Sequence, residues 1–311
     1  MRNIKIIGYG NYLPKNVVEF DGETRYRCNG TETQLDMAVK AAKKALAKAK
    51  MDIRDIDCIV SSSAVIMQPI PCNAALIHEQ IAKGTNIPAM DINTTCTSFM
   101  TALDTMSYLI EAGRYKNVLI VASDIASEGL NENQKESYKL FSDGASAFIV
   151  TKSDDANQGI IGSLIHTYSE GAHSTEIRGG GTLKTAMKYT PENKADYTFD
   201  MKGRRILSLC VKKFPEIFKE FEKKYNISIK NDVDVIIPHQ ASKAVGLMMK
   251  ILEIDESQYI DRVSEFGNMV SVSVPFMLCD LLEHGKVKKG SKVLLCGTAA
   301  GLTCNMLLLN L

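Results

Sequence analysis

The order of strands and helices repeats within this chain. Buried, strand-like runs at Ile56–Ser63 and Val118–Ala122 have counterparts at Val233–His239 and Val293–Gly297. The runs of the first pair begin 62 positions apart and those of the second pair 60 positions apart. Between the strands of each pair, apolar residues recur at positions three and four apart, as they do on a buried helix face. The chain is therefore predicted to contain two copies of one strand–helix unit.

Strands that alternate with helices are typical of α/β proteins, in which helices cover mixed or parallel sheets. With 311 residues the chain is long enough to bury a large core. A strand-like run that ends at Val150 closes the first copy, and a run that begins at Gly159 opens the second. We therefore predict two halves, residues 1–155 and 156–311, related by a pseudo-two-fold axis.

Cys96 lies at a strand-to-helix turn of the first half. The run Ile87–Ile92 is strand-like, small polar residues follow it, and apolar residues from Phe99 to Ile110 recur at helical spacing. Backbone N–H groups and the dipole at a helix N-terminus favour the thiolate, the reactive form of cysteine. A buried, inert cysteine beside a helix start is also common, so this turn alone does not distinguish a nucleophile from packing.

Two further reactive side chains approach Cys96 in the predicted fold. Asn268 lies 25 residues before the buried strand that follows it, and Cys96 lies 22 residues before the equivalent strand. A pseudo-two-fold axis would therefore bring Asn268 opposite Cys96. His239 follows a strand end, where open α/β sheets bind ligands. A structural histidine and a turn asparagine are the alternatives, but three reactive types in one cleft predict catalysis.

Composition and charge argue against several other kinds of partner, membrane segment and metal site. The formal net charge is +1, so no overall field favours nucleic acid or a membrane surface as a partner. No apolar run approaches the roughly 20 residues of a spanning helix, and the N-terminal run is too short and too charged for a signal peptide. The eight cysteines show no CxxC pair and no metal-ligand spacing. Because most lie in apolar stretches, we expect a cytoplasmic protein without a bound metal.

The candidate residues belong to motifs spread along nearly the whole chain. These are Asp91–Phe99 (DINTTCTSF), Phe141–Ala145 (FSDGA), Pro238–Ala241 (PHQA), Phe266–Asn268 (FGN) and Gly297–Thr303 (GTAAGLT). With Cys, His and Asn in this order, the chain resembles the thiolase-fold condensing enzymes, and β-ketoacyl-[acyl-carrier-protein] synthase III in particular. The resemblance implies a duplicated α/β fold of five layers, αβαβα, with mixed sheets.

The resemblance also implies a reaction, a decarboxylative Claisen condensation. An acyl thioester of coenzyme A or acyl-carrier protein would react with a malonyl-carrier protein, in fatty acid or secondary-metabolite synthesis. Cys96 would attack the thioester and hold the acyl group. His239 and Asn268 would hydrogen-bond the malonyl thioester oxygen and stabilise the enolate that loss of CO2 leaves. Backbone N–H groups of Cys96 and of Ala300, or its neighbour Gly301, would form the oxyanion hole. No cofactor is implied.

Three substrate-binding positions are implied by the same resemblance. Met67 and Ile70 match a segment that closes the acyl tunnel across a dimer interface. Members restricted to acetyl groups often carry phenylalanine at the position of Ile70, so the smaller isoleucine predicts a medium-length or branched donor. Lys135 matches a position where an arginine that contacts coenzyme A is common. The segment between Pro14 and Thr33 is shorter than in typical members, which puts the nucleotide site in doubt and favours a carrier-bound donor.

Protein partners are implied as well. We expect a homodimer in which the strand Val118–Ala122 of each protomer pairs across the two-fold axis, because an open β edge invites pairing. Positive side chains cluster at Lys202, Arg204, Arg205, Lys212 and Lys213. One interpretation is that this cluster binds an acidic carrier protein. The alternative interpretation is an ordinary solvated helix face.

Two other functions stay open from the sequence. An acyltransferase of secondary metabolism would pass the acyl group of Cys96 to an alcohol, an amine or another carbon nucleophile, although such relatives often carry aspartate where Asn268 stands. A catalytically silent partner subunit is the non-enzyme alternative. The intact set of Cys96, His239 and Asn268 argues against it. Ser98 and Ser142, which replace glycines usual in the motifs of the family, and the short N-terminal segment keep it open.

Overall fold

A computed structural model describes all 311 residues of the chain. The strands are β1 (Ile4–Tyr12), β2 (Val17–Phe20), β3 (Glu23–Tyr26), β4 (Cys58–Ser61), β5 (Ala89–Asp91), β6 (Asn117–Asp124), β7 (Gly144–Lys152), β8 (Gly159–Thr167), β9 (Thr175–Glu176), β10 (Asp200–Met201), β11 (Val235–Pro238), β12 (Lys292–Ala299) and β13 (Thr303–Asn310). The α-helices are α1 (Gln34–Ala49), α2 (Asn73–Ile81), α3 (Ser98–Glu111), α4 (Lys135–Leu140), α5 (Gly203–Tyr225), α6 (Ile229–Asp232), α7 (Val245–Ile251), α8 (Val263–Phe266) and α9 (Ser273–Glu283).

The first half is built on a five-stranded sheet in the order β1–β7–β6–β4–β5. Strand β4 runs parallel to β5 and β6, whereas β7 runs antiparallel to both of its neighbours. All residues of β6 are buried, because helices cover both faces of the sheet. The sheet is therefore mixed, as predicted.

Helix α1 begins where its sequence predicts. The Thr33 side chain accepts a hydrogen bond from the backbone N–H of Asp36, and the Asp36 side chain accepts one from the backbone N–H of Thr33. This reciprocal pair is a capping box, which satisfies N–H groups that the first turn leaves free. The buried face of α1 is rich in alanine, so the helix can lie close to the strands that it covers.

The second half repeats this arrangement. Its sheet has the order β11–β12–β13–β8, which corresponds to β4–β6–β7–β1 of the first half. Strand β11 is parallel to β12, and β13 is antiparallel to β12 and β8. A single parallel bridge between Ile236 of β11 and Tyr259 corresponds to the pairing of β4 with β5 in the first sheet. The predicted duplication is present down to the strand order.

Five layers result from this duplication. Helices α1 and α2 cover the outer face of the first sheet, and α5 and α7 cover that of the second. Between the sheets lie α3 and α9, whose apolar side chains, among them Phe99, Leu103 and Phe276, fill the central core. The predicted αβαβα architecture is confirmed. The predicted boundary at residue 155 falls between β7 and β8 and stays a prediction.

The sheet order corrects the expected dimer contact. Strand β6, which contains Val118–Ala122, lies inside the first sheet with hydrogen-bonded neighbours on both sides. Pairing of this strand across a two-fold axis is therefore wrong. The unpaired edge on that side of the sheet is β5, Ala89–Asp91.

Two segments have structures that periodicity did not predict. Residues 14–33 contain the hairpin of β2 and β3, and residues 169–201 form short 3-10 turns around the pair β9–β10. Helix α7 begins only at Val245, because the preceding residues form the turn that follows His239. No helix of the structure combines the length and the apolar character needed to cross a membrane.

Candidate active site

Cys96 lies in a single 3-10 turn, Thr95–Thr97, between β5 and α3. Thr95 has a φ of 53°, a left-handed conformation that a β-branched residue adopts only at a cost in free energy. Two side chains hold it there. The Thr95 N–H donates to Oδ1 of Asn93 at 2.8 Å, and the Ser98 hydroxyl donates to the Thr95 carbonyl at 2.6 Å. The turn therefore presents the thiol at the start of α3.

The Cys96 thiol is surrounded by protein although the residue keeps some exposure. Burial raises the pKa of Cys96 to about 11. The backbone N–H groups of Ala300 and of Cys96 itself oppose this shift by donating to the sulfur, and the negative charge of Asp124 adds to it. Desolvation is the largest of these effects, so the pKa of the thiol lies above its usual value and not below it, as the helix N-terminus alone would predict. The roles of Cys96 and of Ala300, or its neighbour Gly301, as oxyanion-hole donors stay predictions.

A second turn of the same geometry, Val270–Val272, lies against the Cys96 turn. Val270 has a φ of 52°, and its N–H donates to Oδ1 of Asn268 at 2.8 Å. The Met269 N–H donates to the Ser273 hydroxyl at 3.0 Å. In the first turn, the N–H of Thr94 makes the same bond to Ser98 at 2.9 Å.

This matching of hydrogen bonds corrects the predicted symmetry. The counterpart of Cys96 is Ser271, and the counterpart of Asn268 is Asn93. Ser271 lies 22 residues before Val293, the same separation that links Cys96 to the first-half strand. The expected equivalence of Cys96 and Asn268 is wrong by three positions, although the two turns do meet at the junction of the halves.

Asn268 is held by backbone groups on both sides of its carboxamide. Its side chain is almost fully buried, and Nδ2 donates to the Ala241 carbonyl at 3.1 Å. Gly267, which precedes it, has a φ of 66°, and a Cβ there would lie 2.5 Å from the Leu140 carbonyl oxygen. Glycine is therefore required in the FGN motif. A carboxamide has two N–H donors, so one remains for a ligand.

His239 follows β11 and continues its pairing with β12, since its backbone N–H donates to the Cys296 carbonyl at 2.7 Å. Burial lowers the pKa of His239 to about 4, so the imidazole is neutral near pH 7. Its buried Nδ1 has no hydrogen-bond partner. A Cβ at Gly297 would lie 2.6 Å from that of His239, which explains the glycine that opens the GTAAGLT motif.

An apolar cavity of about 320 Å³ ends at His239. Helices α5 and α7 supply half of its lining residues, among them Leu207, Phe214 and Met248. The exposed side chains of Glu136 and Arg204 also line it and mark its outer end. The sequence did not reveal this cavity, because its lining residues are scattered over three helices, three strands and the turn that follows His239.

The predicted substrate-binding residues lie outside this cavity. Ile70 is 84% exposed, and Met67 packs partly against the outer core of the first half. Lys135 is exposed at the start of α4, and its neighbour Glu136 lines the cavity in its place. The protomer alone therefore assigns no contact with substrate to these three residues, and their roles stay predictions.

The two serines that depart from the family motifs have structural partners. Ser98 closes the Cys96 turn, as described above. The Ser142 hydroxyl accepts from the Tyr26 N–H at 3.1 Å, and the Ser142 N–H donates to the Asn268 carbonyl at 3.0 Å. Both serines therefore support the site. Cys72 is exposed at the N-cap of α2.

Comparisons with known proteins show the family of the chain. Residues 90–169 match the family described as "3-Oxoacyl-[acyl-carrier-protein (ACP)] synthase III", and residues 225–311 match its C-terminal part. The beta-ketoacyl-[acyl-carrier-protein] synthase III of Clostridium perfringens (strain ATCC 13124) is 32% identical over 330 aligned positions that cover 100% of both chains. That of Aquifex aeolicus is 29% identical and covers 98% of both chains.

A solved structure shows the same likeness in three dimensions. The crystal structure of 3-oxoacyl-[acyl-carrier-protein] synthase III from Aquifex aeolicus superposes with a TM-score of 0.87 at 28% identity, covering 99% of this chain and 100% of that one. The predicted family, fold and class of enzyme, a ketoacyl synthase of the acyltransferase type, are confirmed: the chain belongs to the 3-oxoacyl-[acyl-carrier-protein] synthase III family.

Proposed function

We propose that Cys96, His239 and Asn268 carry out the decarboxylative condensation of an acyl thioester with malonyl-acyl-carrier protein. One observation carries this assignment. The turn that carries Cys96 at the start of α3 and the turn next to Asn268 lie directly against each other. A thiol and a carboxamide donor thus meet at the junction of the two halves.

The first half-reaction is acyl transfer to Cys96. Its sulfur attacks the thioester carbonyl, a new carbon–sulfur bond forms, and the bond to the departing thiol breaks. Because the pKa of Cys96 is about 11, the thiol loses its proton during the attack, and the departing thiolate gains one. The N–H groups of Cys96 and Ala300 stabilise the oxyanion, each such donor contributing about 10²–10³ in rate.

The second half-reaction begins with loss of CO2 from the malonyl group. The electron pair of the broken carbon–carbon bond becomes an enolate, whose oxygen accepts hydrogen bonds from Nε2–H of His239 and the remaining N–H of Asn268. His239 acts as a neutral donor, since burial lowers its pKa to about 4. The enolate carbon then attacks the acyl carbonyl, and the Cys96 sulfur leaves and takes up a proton.

The cavity beside His239 supports an assignment for the arm of the malonyl carrier. Its apolar walls fit a flexible chain, and the guanidinium of Arg204, which forms no ion pair, stands at its outer end. A guanidinium binds a phosphate diester well. Within the positive cluster, Lys213 is held 3.7 Å from Glu170 and 3.5 Å from Glu216. The exposed members Lys202, Arg204, Arg205 and Lys212 are thus the ones placed to meet an acidic carrier.

The hairpin of β2 and β3 supports a carrier-bound acyl donor over acyl-coenzyme A. Arg25 and Arg27 are both buried there. Arg25 donates to the Lys139 carbonyl at 2.7 Å, and Arg27 donates to the carbonyls of Phe141 and Tyr138. Neither guanidinium is therefore free to bind the phosphates of a nucleotide.

A homodimer through the edge of β5 is the assembly that we infer. The backbone of Ala89–Asp91 is unpaired on one side, and an unpaired edge is a template for a second strand. Ile66 and Ile70, on the segment between β4 and α2, are exposed, so a partner would bury apolar surface there. Sedimentation at micromolar concentration should give a dimer, and a monomer would contradict this contact.

Intact mass of the protein tests the reaction. After incubation with acyl-coenzyme A or acyl-carrier thioesters, the protein should gain the mass of one acyl group at Cys96, and the carrier thioesters should react faster. Addition of malonyl-acyl-carrier protein should then release CO2 and discharge the acyl group as a β-ketoacyl product. Discharge without release of CO2 would support the acyltransferase alternative, and no acylation at all would support a silent subunit.

A further inference from the structure

Asp124 is a buried carboxylate that links the two halves of the molecule. It ends β6 and is 0% exposed. Oδ1 accepts hydrogen bonds from the N–H groups of Ala64 at 3.0 Å and Val65 at 2.8 Å. Oδ2 accepts from the N–H of Ser271 at 3.0 Å and from its hydroxyl at 2.5 Å. The carboxylate forms no ion pair, so these four donors are what compensates its burial.

The duplication shows what this carboxylate replaces. Strands β6 and β12 are both eight residues long, so Asp124 corresponds to Ala299. The N–H of Ser271 corresponds to that of Cys96, a proposed donor of the oxyanion hole. In the second turn, an oxygen of Asp124 occupies this N–H permanently. The Ser271 turn is therefore closed to ligands.

The closed Ser271 turn can hold the nearby side chain of Asn268 in place. Val270 is β-branched and has a φ of 52°, a conformation that persists only where surrounding contacts hold it. Asp124 holds Ser271, the next residue, and the Val270 N–H in turn fixes Oδ1 of Asn268 at 2.8 Å. Resting on the proposed function, we propose that Asp124 is a positioning residue for decarboxylation, which keeps Asn268 aimed at the malonyl thioester.

The charge of Asp124 has a second, separable effect. It raises the pKa of the Cys96 thiol, together with the larger effect of burial. His239, the other ionisable group of the site, is neutral. Removing the charge of Asp124 should therefore lower the pKa of Cys96, whereas a change in Asn268 alone should not.

The variant Asp124→Asn separates these effects. Its side chain keeps the shape of the carboxylate but replaces one oxygen with an N–H₂ group. That group cannot accept the hydrogen bonds that the oxygen accepts, so one of the two pairs of hydrogen bonds is lost. Release of CO2 from malonyl-acyl-carrier protein should fall about 10²-fold, the usual cost of a misplaced group. Acylation of Cys96 should change less than tenfold. In a Cys72→Ser background, the pH midpoint for alkylation of Cys96 by iodoacetamide should fall.

Two further variants keep the test decisive. Asp57→Asn changes a carboxylate at the other end of β6, which accepts from the N–H groups of Lys116 at 2.9 Å and Asn117 at 2.7 Å. All three readouts should stay at the wild-type value in this control. Ser271→Ala removes only the hydroxyl donor, so it should fold even if Asp124→Asn does not, and should lower CO2 release by a smaller factor.

Equal losses of acylation and CO2 release with an unchanged alkylation midpoint would overturn the inference, because they indicate a merely structural role. So would a wild-type rate of CO2 release in Ser271→Ala and Asp124→Asn alike. A wild-type protein that releases no CO2 contradicts the proposed function instead. In that case an alkylation midpoint that Asp124→Asn leaves unshifted still overturns the coupling of Asp124 to Cys96.

Discussion

The Cys96 turn and the Ser271 turn share one backbone and differ in chemistry. Each contains a residue in the left-handed region, Thr95 with a φ of 53° in the first and Val270 with a φ of 52° in the second. In each turn an asparagine two residues earlier accepts from the N–H of that residue. The first turn holds the thiol of Cys96 without a carboxylate bound to its backbone, whereas the second buries a hydroxyl under the carboxylate of Asp124.

Side chains at equivalent strand ends make this difference. Strand β12 ends in Ala299 where β6 ends in Asp124. His239 follows β11, and Ser62 makes the equivalent backbone hydrogen bond after β4. Duplication thus supplies the same backbone donors twice, and the side chains decide their use. In the proposed mechanism, the first half supplies the nucleophile, and the second supplies the groups that stabilise the enolate.

The largest effect is expected when the thiol is moved from one turn to the other. Cys96→Ala should abolish acylation, and Cys96→Ala with Ser271→Cys should not restore it. The Asp124 carboxylate occupies the N–H of residue 271 and its charge disfavours a thiolate there. Intact mass after incubation with a hexanoyl thioester measures this. Cys72→Ser, which removes an exposed thiol, is the control and should acylate normally. Acylation of residue 271 would break the comparison.

The next effect separates the two half-reactions. His239→Ala and Asn268→Ala should each lower CO2 release from malonyl-acyl-carrier protein by about 10²–10³, the usual cost of one such donor. Acylation of Cys96 should persist, because its N–H donors are untouched.

Asn93→Ala is the matched control for Asn268→Ala. Asn93 accepts from the Thr95 N–H and donates to the Ala64 carbonyl at 3.0 Å, as Asn268 does in the second half. Its loss should slow acylation of Cys96 more than CO2 release. The same pattern of loss in both variants would show that the halves do not divide the reaction.

Strand ends and short motifs could be predicted from the sequence because they are local. The positions of Cys96, His239 and Asn268 follow from strand-like runs and the residues that end them. Spacing alone placed Asn268 opposite Cys96, since separations of 22 and 25 residues look alike without a structure. The exact separation of 22 residues points to Ser271, and that signal was available.

Other features depend on the packing of distant segments. The sequence does not state the order of strands, so β6 could not be distinguished from an edge strand, and the free edge proved to be β5. The pKa of Cys96 depends on desolvation by several segments, and this outweighs the local effect of the helix N-terminus. The cavity beside His239 is lined by residues from Glu136 to Thr298, which no local pattern connects.

The acyl pocket is expected to show a smaller effect, on the first-half side of the site. If Ile70 closes this pocket across the dimer interface, Ile70→Phe should favour acetyl over hexanoyl donors, because overpacking costs roughly 1–3 kcal/mol. Acylation of Cys96 by acetyl, isobutyryl, hexanoyl and octanoyl thioesters measures the preference. Ile66→Phe, at another exposed isoleucine of the same segment, is the control. Acetyl as the best donor of the wild type would contradict the pocket.

The smallest expected effect is on the pH dependence of stability. It comes from two buried ionisable groups, one in each half, whose pKa values are shifted in opposite directions. Burial raises the pKa of Asp124 from 3.8 to about 6 and lowers that of His239 from 6.5 to about 4. Below pH 6.5 the unfolded histidine binds a proton that the native one does not, so its contribution to stability rises with pH from about 4 to 6.5. Asp124 has the opposite sign, because between pH 3.8 and about 6 only the native carboxyl keeps its proton.

These two contributions should nearly cancel around pH 5, so each becomes visible when the other group is removed. In Asp124→Asn, the free energy of unfolding should rise more steeply with pH than in the wild type, by about 1.4 kcal/mol per pH unit. In His239→Gln it should fall more steeply by a similar amount. Urea unfolding at half-unit steps from pH 4.5 to 6 measures both slopes. Asn268→Ala removes no ionisable group and should keep the wild-type slope. If both charge variants also keep that slope, the two buried groups do not oppose each other, and the electrostatic difference between the halves is smaller than their pKa values indicate.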